Sequence, residues 1–250
     1  MSNQPVGRRA LAVIKTAKPT TAEMHPGPGF RVRREFGATD PATSAGFAEF
    51  DTPRISDLMN RLFTMSPDIK PMTDRGLRIL GPACTVKVYP GDNLMVHKSL
   101  DIAKPGDVIV VDSSGSTLTA VLGGLVSTKA RHRGIAGFVV DGLIRDLSQV
   151  VQLGDFPVFA RGLTPIGPLH RGPGEINFPV SVGGIVVHPG DIIVGDENGV
   201  VVVPRDSVTD VLERLRARAA VEAEYEAAVA RGDFSNVWVD AILRDAGVDA

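Results

Sequence analysis

Arg145 and Asp146 are adjacent residues whose side chains could together bind and activate a small acid. They follow the stretch 137–141, which is predicted to be a strand, and a glycine turn at Gly142. In α/β sheets, ligands gather at the carboxyl ends of strands. The guanidinium offers a two-pronged donor to a carboxylate, and the aspartate can hold one vertex of a hard cation. The pair therefore predicts a site for a 2-oxo acid chelated to a divalent metal, and a surface turn is the alternative.

Gly123 and Gly124 are the second feature with chemical meaning. They lie inside the stretch 116–133, which is predicted to be a helix from its one-sided leucines. Glycine inside a helix costs about 1 kcal/mol relative to alanine, so two in a row indicate a break or a close backbone approach. If the helix restarts at Gly124, the amides of Leu125 and Val126 point at an anion site. The alternative is that the glycines permit tight packing of helix on sheet.

The remaining reactive residue types form no recognisable motif. The histidines show no metal-ligand spacing and are predicted to be structural or on the surface: His25, His97, His132, His170 and His188. The single cysteine, Cys84, lies in an apolar stretch and is predicted to be a small core residue. One cysteine excludes an internal disulfide, which is typical of a reducing compartment.

Composition excludes several classes of protein. The chain has 250 residues, 43% of them hydrophobic, and a formal net charge of -2. This balance provides no electrostatic footprint for nucleic acid or for an anionic membrane surface. No apolar run approaches the roughly 18 residues of a membrane span. We therefore expect a cytoplasmic protein in which an acidic substrate is held by a local positive group.

Alternation of short β-branched runs with turn residues predicts an α/β fold. Predicted strands are 83–89, 108–112, 137–141, 157–160, 184–188, 191–194 and 200–203, and predicted helices begin near Ser56, cover 116–133, and cover 206–231 and 236–245. A strand, a helix and a second strand in that order favour parallel pairing through a right-handed crossover.

The same pass along the chain suggests three regions. Residues 1–45 are rich in proline, glycine, threonine and alanine and are predicted to be a loosely ordered arm. Residues 46–205 carry the alternating pattern of the α/β core. Residues 206–250 are predicted to be C-terminal helices that pack on the core or on a neighbouring subunit, with Gly232 as the stop of the first helix.

Several motifs occur in the same order as in a known protein family. They are Ser56-Asp57, Gly81-Pro82-Ala83, Pro90-Gly91-Asp92-Asn93-Leu94, Lys104-Pro105-Gly106-Asp107-Val108, the stretch from Gly123 to Asp146, Phe159-Ala160-Arg161-Gly162, Pro173-Gly174-Glu175-Ile176-Asn177, and Pro189-Gly190-Asp191 through Val203-Pro204. On these motifs, residues 52–232 resemble the RraA-like proteins, which include class II 4-hydroxy-4-methyl-2-oxoglutarate aldolases and the regulator of ribonuclease activity A. The resemblance implies a swivelling β/β/α sandwich with C-terminal helices, assembled as a homotrimer or a hexamer.

The resemblance also implies roles for the residues of the glycine-to-aspartate segment. Asp146 would be the metal ligand, with magnesium as the first expectation and manganese as the alternative. Arg145 would be the substrate clamp. The amides around Leu125 and Val126 would grip the substrate carboxylate, and the preceding glycine pair belongs to the same binding segment.

Subunit contacts complete the site in this family, because a neighbour's C-terminal helix donates an acidic side chain. Glu222 is the best match for that residue, and Glu224 is the alternative. A solvated helix residue without a role is the simpler interpretation of Glu222. One departure concerns Gly124, since many aldolases of the family have an acidic residue there.

Together these features predict a lyase of the class II aldolase type that cleaves a carbon–carbon bond of a 2-oxo acid through a pyruvate enolate. The expected substrates are 4-hydroxy-4-methyl-2-oxoglutarate or 4-carboxy-4-hydroxy-2-oxoadipate, with oxaloacetate decarboxylase activity besides. Two alternatives stay open at this point. One is a non-catalytic regulator that binds a ribonuclease, which the retained Asp146 argues against. The other is a related enzyme acting on a different hydroxy or oxo acid.

Overall fold

The computed structural model describes residues 21, 23–35, 37, 41–74 and 76–248. The strands in this part of the chain are β1 (Phe30–Val32), β2 (Lys70–Pro71), β3 (Ile79–Val88), β4 (Val108–Leu122), β5 (Gly137–Ile144), β6 (Val158–Leu163), β7 (Gly174–Ile176), β8 (Val180–Val182), β9 (Ile185–Val187), β10 (Ile192–Asp196) and β11 (Gly199–Val203). The helices are α1 (Pro41–Ala45), α2 (Thr52–Leu58), α3 (Leu94–Ser99), α4 (Gly124–His132), α5 (Leu147–Val151), α6 (Val208–Ala230) and α7 (Val237–Asp245). Short 3₁₀ turns lie at Gly46–Glu49 and Arg205–Ser207.

One large sheet runs in the order β1-β7-β3-β4-β5-β6-β2. Its centre is parallel, because β3 pairs with β4, β4 with β5 and β5 with β6 in the same direction. The predicted parallel pairing is therefore confirmed. β10 and β11 join the sheet through β3, whose first residues pair with β10 up to Pro82 and whose next residues, from Ala83, pair with β4. This change of partner turns the chain from one layer of strands into the next.

Three apolar layers hold the fold together, and alternation along the strands explains them. Ile109 and Val111 face a core shared with α3, α4 and α5, whereas Val108 and Val110 face a second core shared with β8, β9, β10 and β11. A third core lies between the other face of β10 and β11 and the helices α2 and α6. Successive side chains of a strand point to opposite faces, so strands buried on both sides need apolar residues throughout. The α/β sandwich with C-terminal helices is thus confirmed.

The C-terminal helices agree with their prediction. α6 ends at a left-handed glycine, Gly232, with a φ of +78°. Its first half is anchored by Val211, Leu212 and Leu215 in the third core. No helix of the described residues is both long enough and apolar enough to cross a membrane.

The predicted helix over residues 116–133 is wrong in its first half. β4 continues to Leu122 and pairs irregularly with β5, through Ser116 with Gly142, Ala120 with Leu143, and Leu122 with Ile144. Hydrogen bonding to β5 outweighs a leucine spacing that suggested a helix, and Leu118 is exposed. The helix that does form, α4, begins at Gly124. The predicted restart at that glycine is confirmed.

Several smaller elements differ from their predictions. The first helix was predicted to begin near Ser56 with Thr52 or Ser56 as a possible cap, but α2 begins at Thr52 and Asp51 caps it through a hydrogen bond from the Arg54 amide. Short strands were not predicted at β1, β2, β7 and β8, because two or three residues carry no readable alternation. In the predicted arm, residues 1–20 lie outside the described part, while β1 pairs with β7 and α1 forms at Pro41–Ala45. Cys84 is buried as predicted, and burial raises its pKa.

Candidate active site

The ends of β4 and β5 bring the two predicted site segments together. Leu122 pairs with Ile144 in the last position of this ladder. The Arg145 amide then donates to the Leu122 carbonyl at 3.0 Å. Gly123 and the start of α4 therefore lie directly beside Arg145 and Asp146. The parallel pairing of β4 with β5 brings the two segments together, although more than twenty residues separate them in the chain.

Asp146 is held in a left-handed backbone conformation, with a φ of +55° and a ψ of +40°. Aspartate is one of the few residues besides glycine that adopts this region readily. It precedes α5, and its carbonyl accepts hydrogen bonds from the amides of Gln149 and Val150. The turn aims the carboxylate back toward α4, where Oδ2 lies 3.4 Å from the Gly124 amide nitrogen.

Gly123 is required by this approach. An ideal Cβ at this position would lie 2.5 Å from Asp146 Oδ2 and 2.8 Å from Arg145 Cγ. Real Cβ atoms do not come so close, so any other residue would displace both functional side chains. Close approach of backbone to side chain, one of the predicted reasons for glycine here, is therefore found in the structure.

Arg145 is half-exposed beside the carboxylate. Its Nε is 3.5 Å from Asp146 Oδ2, and the two side chains are 40% and 36% exposed. The guanidinium passes over Gly167, where an ideal Cβ would lie 3.3 Å from Arg145 Cζ and closer still to one terminal nitrogen. A long contact with Asp146 and an exposed fork leave the guanidinium able to take a ligand carboxylate.

The first turn of α4 completes the anion-binding surface. The Ser127 amide makes the first bond back to the Gly123 carbonyl, at 3.0 Å. The amides of Leu125 and Val126 precede that bond and, among the described residues, have no acceptor. Unpaired amides at a helix start favour negative charge. The structure thus brings Gly123, Leu125, Val126 and Arg145 around one space, whereas Gly124, also predicted to bind substrate, does not line it.

That space is a cavity of about 180 Å³ with a mixed lining. The residues that line it are Asn93, His97, Leu122, Gly123, Leu125, Val126, Arg145, Asp146, Pro168 and His170. Leu122 and Val126 are almost fully buried and form its apolar wall. A cavity with an apolar wall and a few convergent polar groups is the usual form of a small-molecule site.

Two histidines that were predicted to be structural or on the surface also line this cavity. The rings of His97 and His170 stack edge to face with centroids 5.2 Å apart. Asn93 Nδ2 donates to the Val121 carbonyl at 2.8 Å, and this orients its Oδ1 toward His170 Nδ1 at 2.6 Å. Because Asn93 Oδ1 can only accept a hydrogen bond, the proton of a neutral His170 ring lies on Nδ1. Nε2 of His170 is then left for a ligand.

The histidine pair sits among positive charges. Burial lowers the pKa of His97, and the neighbouring His170 and Lys129 lower it further. His97 and His170 were missed because 73 residues separate them in the chain. A signal was present at Asn93 and His97, since they stand four residues apart after the Pro90-Gly91-Asp92 turn, which places them on one helix face.

Glu222 lies elsewhere in the single chain. It is in a cleft between α2 and α6, where its carboxylate is 3.7 Å from Arg54 Nε and 3.4 Å from Arg218 Nε. None of the residues that line this cleft also lines the cavity of Arg145 and Asp146. Glu224 instead pairs with Arg231 at 3.3 Å. A role for Glu222 of a neighbouring subunit stays a prediction.

Comparison with known proteins places this arrangement in a family. The model of the RraA-like family, described as Aldolase/RraA, matches residues 52–202. A protein of Halalkalibacterium halodurans, provisionally named 4-hydroxy-4-methyl-2-oxoglutarate aldolase, is 42% identical over 183 residues, which cover 73% of this chain and 86% of the relative. The chain belongs to the RraA-like family, and this confirms the resemblance found in its motifs.

Solved structures support the same conclusion for the fold. An uncharacterised protein from Pseudomonas syringae pv. tomato superposes with a TM-score of 0.69 at 28% identity, covering 80% of this chain and 97% of that one. A Streptomyces coelicolor protein, described as an unusual member of the RNase ES inhibitor RraA family, superposes with a TM-score of 0.66 at 27% identity, covering 79% and 99%. The family therefore contains proteins named as aldolases and proteins named as inhibitors.

Proposed function

We propose that the protein is a divalent-metal-dependent lyase that cleaves a carbon–carbon bond of a small 2-oxo acid. The observation that carries this proposal is the convergence of Arg145, Asp146 and the first turn of α4 on one cavity. A relative named as a 4-hydroxy-4-methyl-2-oxoglutarate aldolase supports the same class of reaction. The substrates proposed are that compound or 4-carboxy-4-hydroxy-2-oxoadipate, and oxaloacetate.

The donor set of the cavity fits a hard cation. Among the described residues, no group of three or more histidine, cysteine or acidic side chains could hold a metal. Zinc requires three or four such ligands, whereas magnesium commonly takes one or two carboxylates and fills its other positions with water and substrate oxygens. Asp146 would hold magnesium, or manganese, which prefers the same ligands. When bound, the cation would supply Lewis-acid polarisation of the keto group.

The protein itself binds and orients the acid. The amides of Leu125 and Val126 and the Arg145 guanidinium surround the position of the substrate carboxylate. The apolar wall of Leu122 and Val126 removes water from one side of the cavity, which strengthens charged hydrogen bonds there. With the carboxylate fixed, the scissile bond can be held in line with the keto group. Electrons from that bond then pass into the keto group and form a pyruvate enolate, which is protonated to pyruvate. The other fragment leaves as CO₂ from oxaloacetate, or, in aldol cleavage, as a carbonyl compound formed when a water takes the proton of its hydroxyl group.

A pyruvate-release assay tests the proposal. Wild type and Asp146→Ala are assayed with 4-hydroxy-4-methyl-2-oxoglutarate and with oxaloacetate, in magnesium and in chelator. We expect release by wild type in magnesium only and none by Asp146→Ala. Activity that survives both the chelator and the substitution would exclude metal dependence. A folded wild type that is inactive on both compounds would favour the regulator named in the family, which predicts metal-independent binding of a ribonuclease.

We also propose that the chain assembles with copies of itself, as a trimer or a hexamer. α7 buries none of its residues within the chain, although it carries Val237, Trp238 and Ile242. Along α6, Val221, Tyr225 and Val229 are exposed at four-residue spacing. Exposed large apolar residues on two successive helices support an interface with another subunit. Sedimentation equilibrium of wild type and of Trp238→Glu would measure the state, and a monomeric wild type would contradict the proposal.

A further inference from the structure

His170 lies in a loop that is fastened to the turn before α3 on both sides of the histidine. The Leu169 amide donates to the Gly91 carbonyl at 2.8 Å, and the Leu169 carbonyl accepts from the Asn93 amide at 2.9 Å. On the other side, the amide that follows His170 donates to Asp92 Oδ2. The histidine itself is exposed, so burial does not explain this fixed placement. Support of this kind from neighbouring groups is what a functional side chain needs to keep its position.

Asn93 fixes the orientation of the His170 ring. It is 2% exposed, and both ends of its carboxamide are used, since Nδ2 donates to the Val121 carbonyl and Oδ1 lies 2.6 Å from His170 Nδ1. The neutral ring therefore carries its proton on Nδ1 and a lone pair on Nε2. Within the part of the chain that the structure describes, His170 Nε2 has no hydrogen-bond partner. This lone pair is thus available in the cavity that His170 lines.

His170 and Arg145 are held on opposite sides of the end of β4. The Val121 carbonyl accepts from Asn93 Nδ2, and the next carbonyl, that of Leu122, accepts from the Arg145 amide. Successive carbonyl groups of a strand point to opposite sides within the sheet, so the groups they hold flank the space beyond the strand. Both side chains line that space. A substrate whose carboxylate is bound by Arg145 would therefore extend its far end toward His170.

His97 gives His170 a neutral neighbour. The two rings stack edge to face with centroids 5.2 Å apart. Burial lowers the pKa of His97, and the charges of His170 and Lys129 lower it further. A neutral His97 places no positive ring against His170, so His170 can take up a proton without that repulsion.

We infer that His170 is the general base that accepts the substrate's hydroxyl proton in aldol cleavage. This inference rests on the proposed function. The water that takes the hydroxyl proton passes a proton to His170 Nε2, the hydroxyl oxygen forms a carbonyl group, and the electrons of the breaking carbon–carbon bond enter the keto group. The imidazolium then gives its proton back through the water to the enolate carbon, which yields pyruvate and restores the neutral ring. Loss of CO₂ from oxaloacetate breaks no hydroxyl bond and needs no such base.

His170→Asn and His170→Gln together test the inference. Asparagine keeps an amide nitrogen in the place of Nδ1, so it can still donate to Asn93, but it has no atom in the place of Nε2. Glutamine can bring a carboxamide to the place of Nε2, where it forms hydrogen bonds but takes up no proton near neutral pH. We expect each variant to lower kcat/KM for 4-hydroxy-4-methyl-2-oxoglutarate about a hundredfold, which is what a positioned base contributes at least. The value for oxaloacetate should stay unchanged.

Consumption of each substrate in magnesium is the quantity to measure, because it reports the step in which the carbon–carbon bond breaks. His132→Gln is the matched control. It also removes an exposed histidine, at the end of α4, and His132 does not line the cavity. Both kcat/KM values of this control should equal those of wild type.

The outcomes separate this inference from the proposed function. A wild type that consumes neither substrate overturns the proposed function and the inference with it. A wild type that decarboxylates oxaloacetate but does not cleave the hydroxy acid overturns the inference alone. Equal losses on both substrates in the His170 variants do so as well, because His170 would then only support the shape of the cavity. Full cleavage of the hydroxy acid by His170→Gln would show that His170 orients the substrate without acting as its base.

Discussion

Two arginine–aspartate pairs, one between Asp141 of β5 and Arg161 of β6 and one at Arg145 and Asp146 just after β5, are built in opposite ways. Asp141 is 5% exposed; one of its oxygens accepts from Arg161 Nε and the other accepts from the Gly183 amide at 2.8 Å. In the second pair, Arg145 Nε is 3.5 Å from Asp146, and both side chains are more than one-third exposed. The first pair is closed within the protein, and the second is open to a ligand.

This contrast shows which of two chemically identical pairs can act on a substrate. Both oxygens of Asp141 accept hydrogen bonds within the protein, and this buried carboxylate is not part of the lining of the cavity. Asp146 has one long contact with an amide, and among the described residues its other oxygen has no donor. A carboxylate with spare lone pairs in a cavity is a candidate ligand. The two pairs have the same residue types. What distinguishes the structural pair from the candidate site is whether other groups of the protein already bind the carboxylate.

The largest effect is expected from Asp146→Asn. Asparagine tolerates the left-handed backbone, so the free energy of unfolding should stay unchanged. Pyruvate release in magnesium should fall about a thousandfold, because a polarising cation contributes several kcal/mol and each 1.4 kcal/mol is tenfold. Steady-state kinetics and urea unfolding measure the two quantities. If Asp146→Asn released pyruvate at the wild-type rate, Asp146 would not be needed for the reaction, and the open pair would have no more of a role in it than the closed pair.

Asp141→Asn should show the reverse pattern. Removing this charge leaves the Arg161 guanidinium with only the exposed Asp68, 2.9 Å from its Nη1, and should lower the unfolding free energy by about 2 kcal/mol. Activity per folded molecule should stay near that of wild type. Urea unfolding and active-site titration measure these quantities. If Asp141→Asn instead lost activity at unchanged stability, the closed pair would itself belong to the site.

Asp196 is a third aspartate whose carboxylate is bound by other groups of the protein, and it provides a test of how much such hydrogen bonds stabilise the fold. Burial alone would raise the pKa of Asp196, but hydrogen bonds from the Thr52 hydroxyl, the Thr52 amide and Asn198 outweigh it and lower the pKa. Thr52→Val removes only the hydroxyl and should reduce the unfolding free energy by about 1.5 kcal/mol at pH 7. A carboxyl group whose pKa is lowered by folding stabilises the fold at pH values above its ordinary pKa, and this stabilisation is lost as the pH falls. The stability difference between wild type and Thr52→Val should therefore shrink below about pH 4.

The exposed Thr209 provides the control for that measurement. Thr209→Val also replaces a hydroxyl by a methyl group, on the surface of α6. Its unfolding free energy should stay within about 0.5 kcal/mol of wild type at every pH. A difference for Thr52→Val that is constant down to pH 2 would show that Asp196 is not the group involved.

The smallest effect is expected from Gly167→Ala, a substitution next to Arg145 of the open pair. The new methyl would meet the end of the Arg145 guanidinium, which can move because it is flexible and half-exposed. Tm should therefore stay unchanged, and KM for the 2-oxo acid should rise about fivefold as the fork loses its alignment. Gly76→Ala is the control, since an ideal Cβ there has nothing within 4 Å. An unchanged KM would mean that Arg145 does not hold the substrate.

Local patterns predicted much of this fold because they act over a few residues. The strands around Val108–Val111 and Gly137–Val140 follow from β-branched runs, and the parallel pairing follows from the helix between them. The restart of α4 at Gly124 followed from the cost of glycine in a helix. Where a local pattern misled, as over Ser116–Leu122, backbone pairing with a distant strand outweighed it.

Side-chain periodicity and chain neighbours are enough to predict the apolar strands, the helix start beside the glycine pair and the adjacency of Arg145 to Asp146. By contrast, the contact of His170 with His97 and the contact of Gln149 with Gly124 are found only in the folded chain. Those contacts depend on how β3 changes partners and how α5 packs against α4. Such packing is set by the sum of many distant contacts, and no short window of residues contains it.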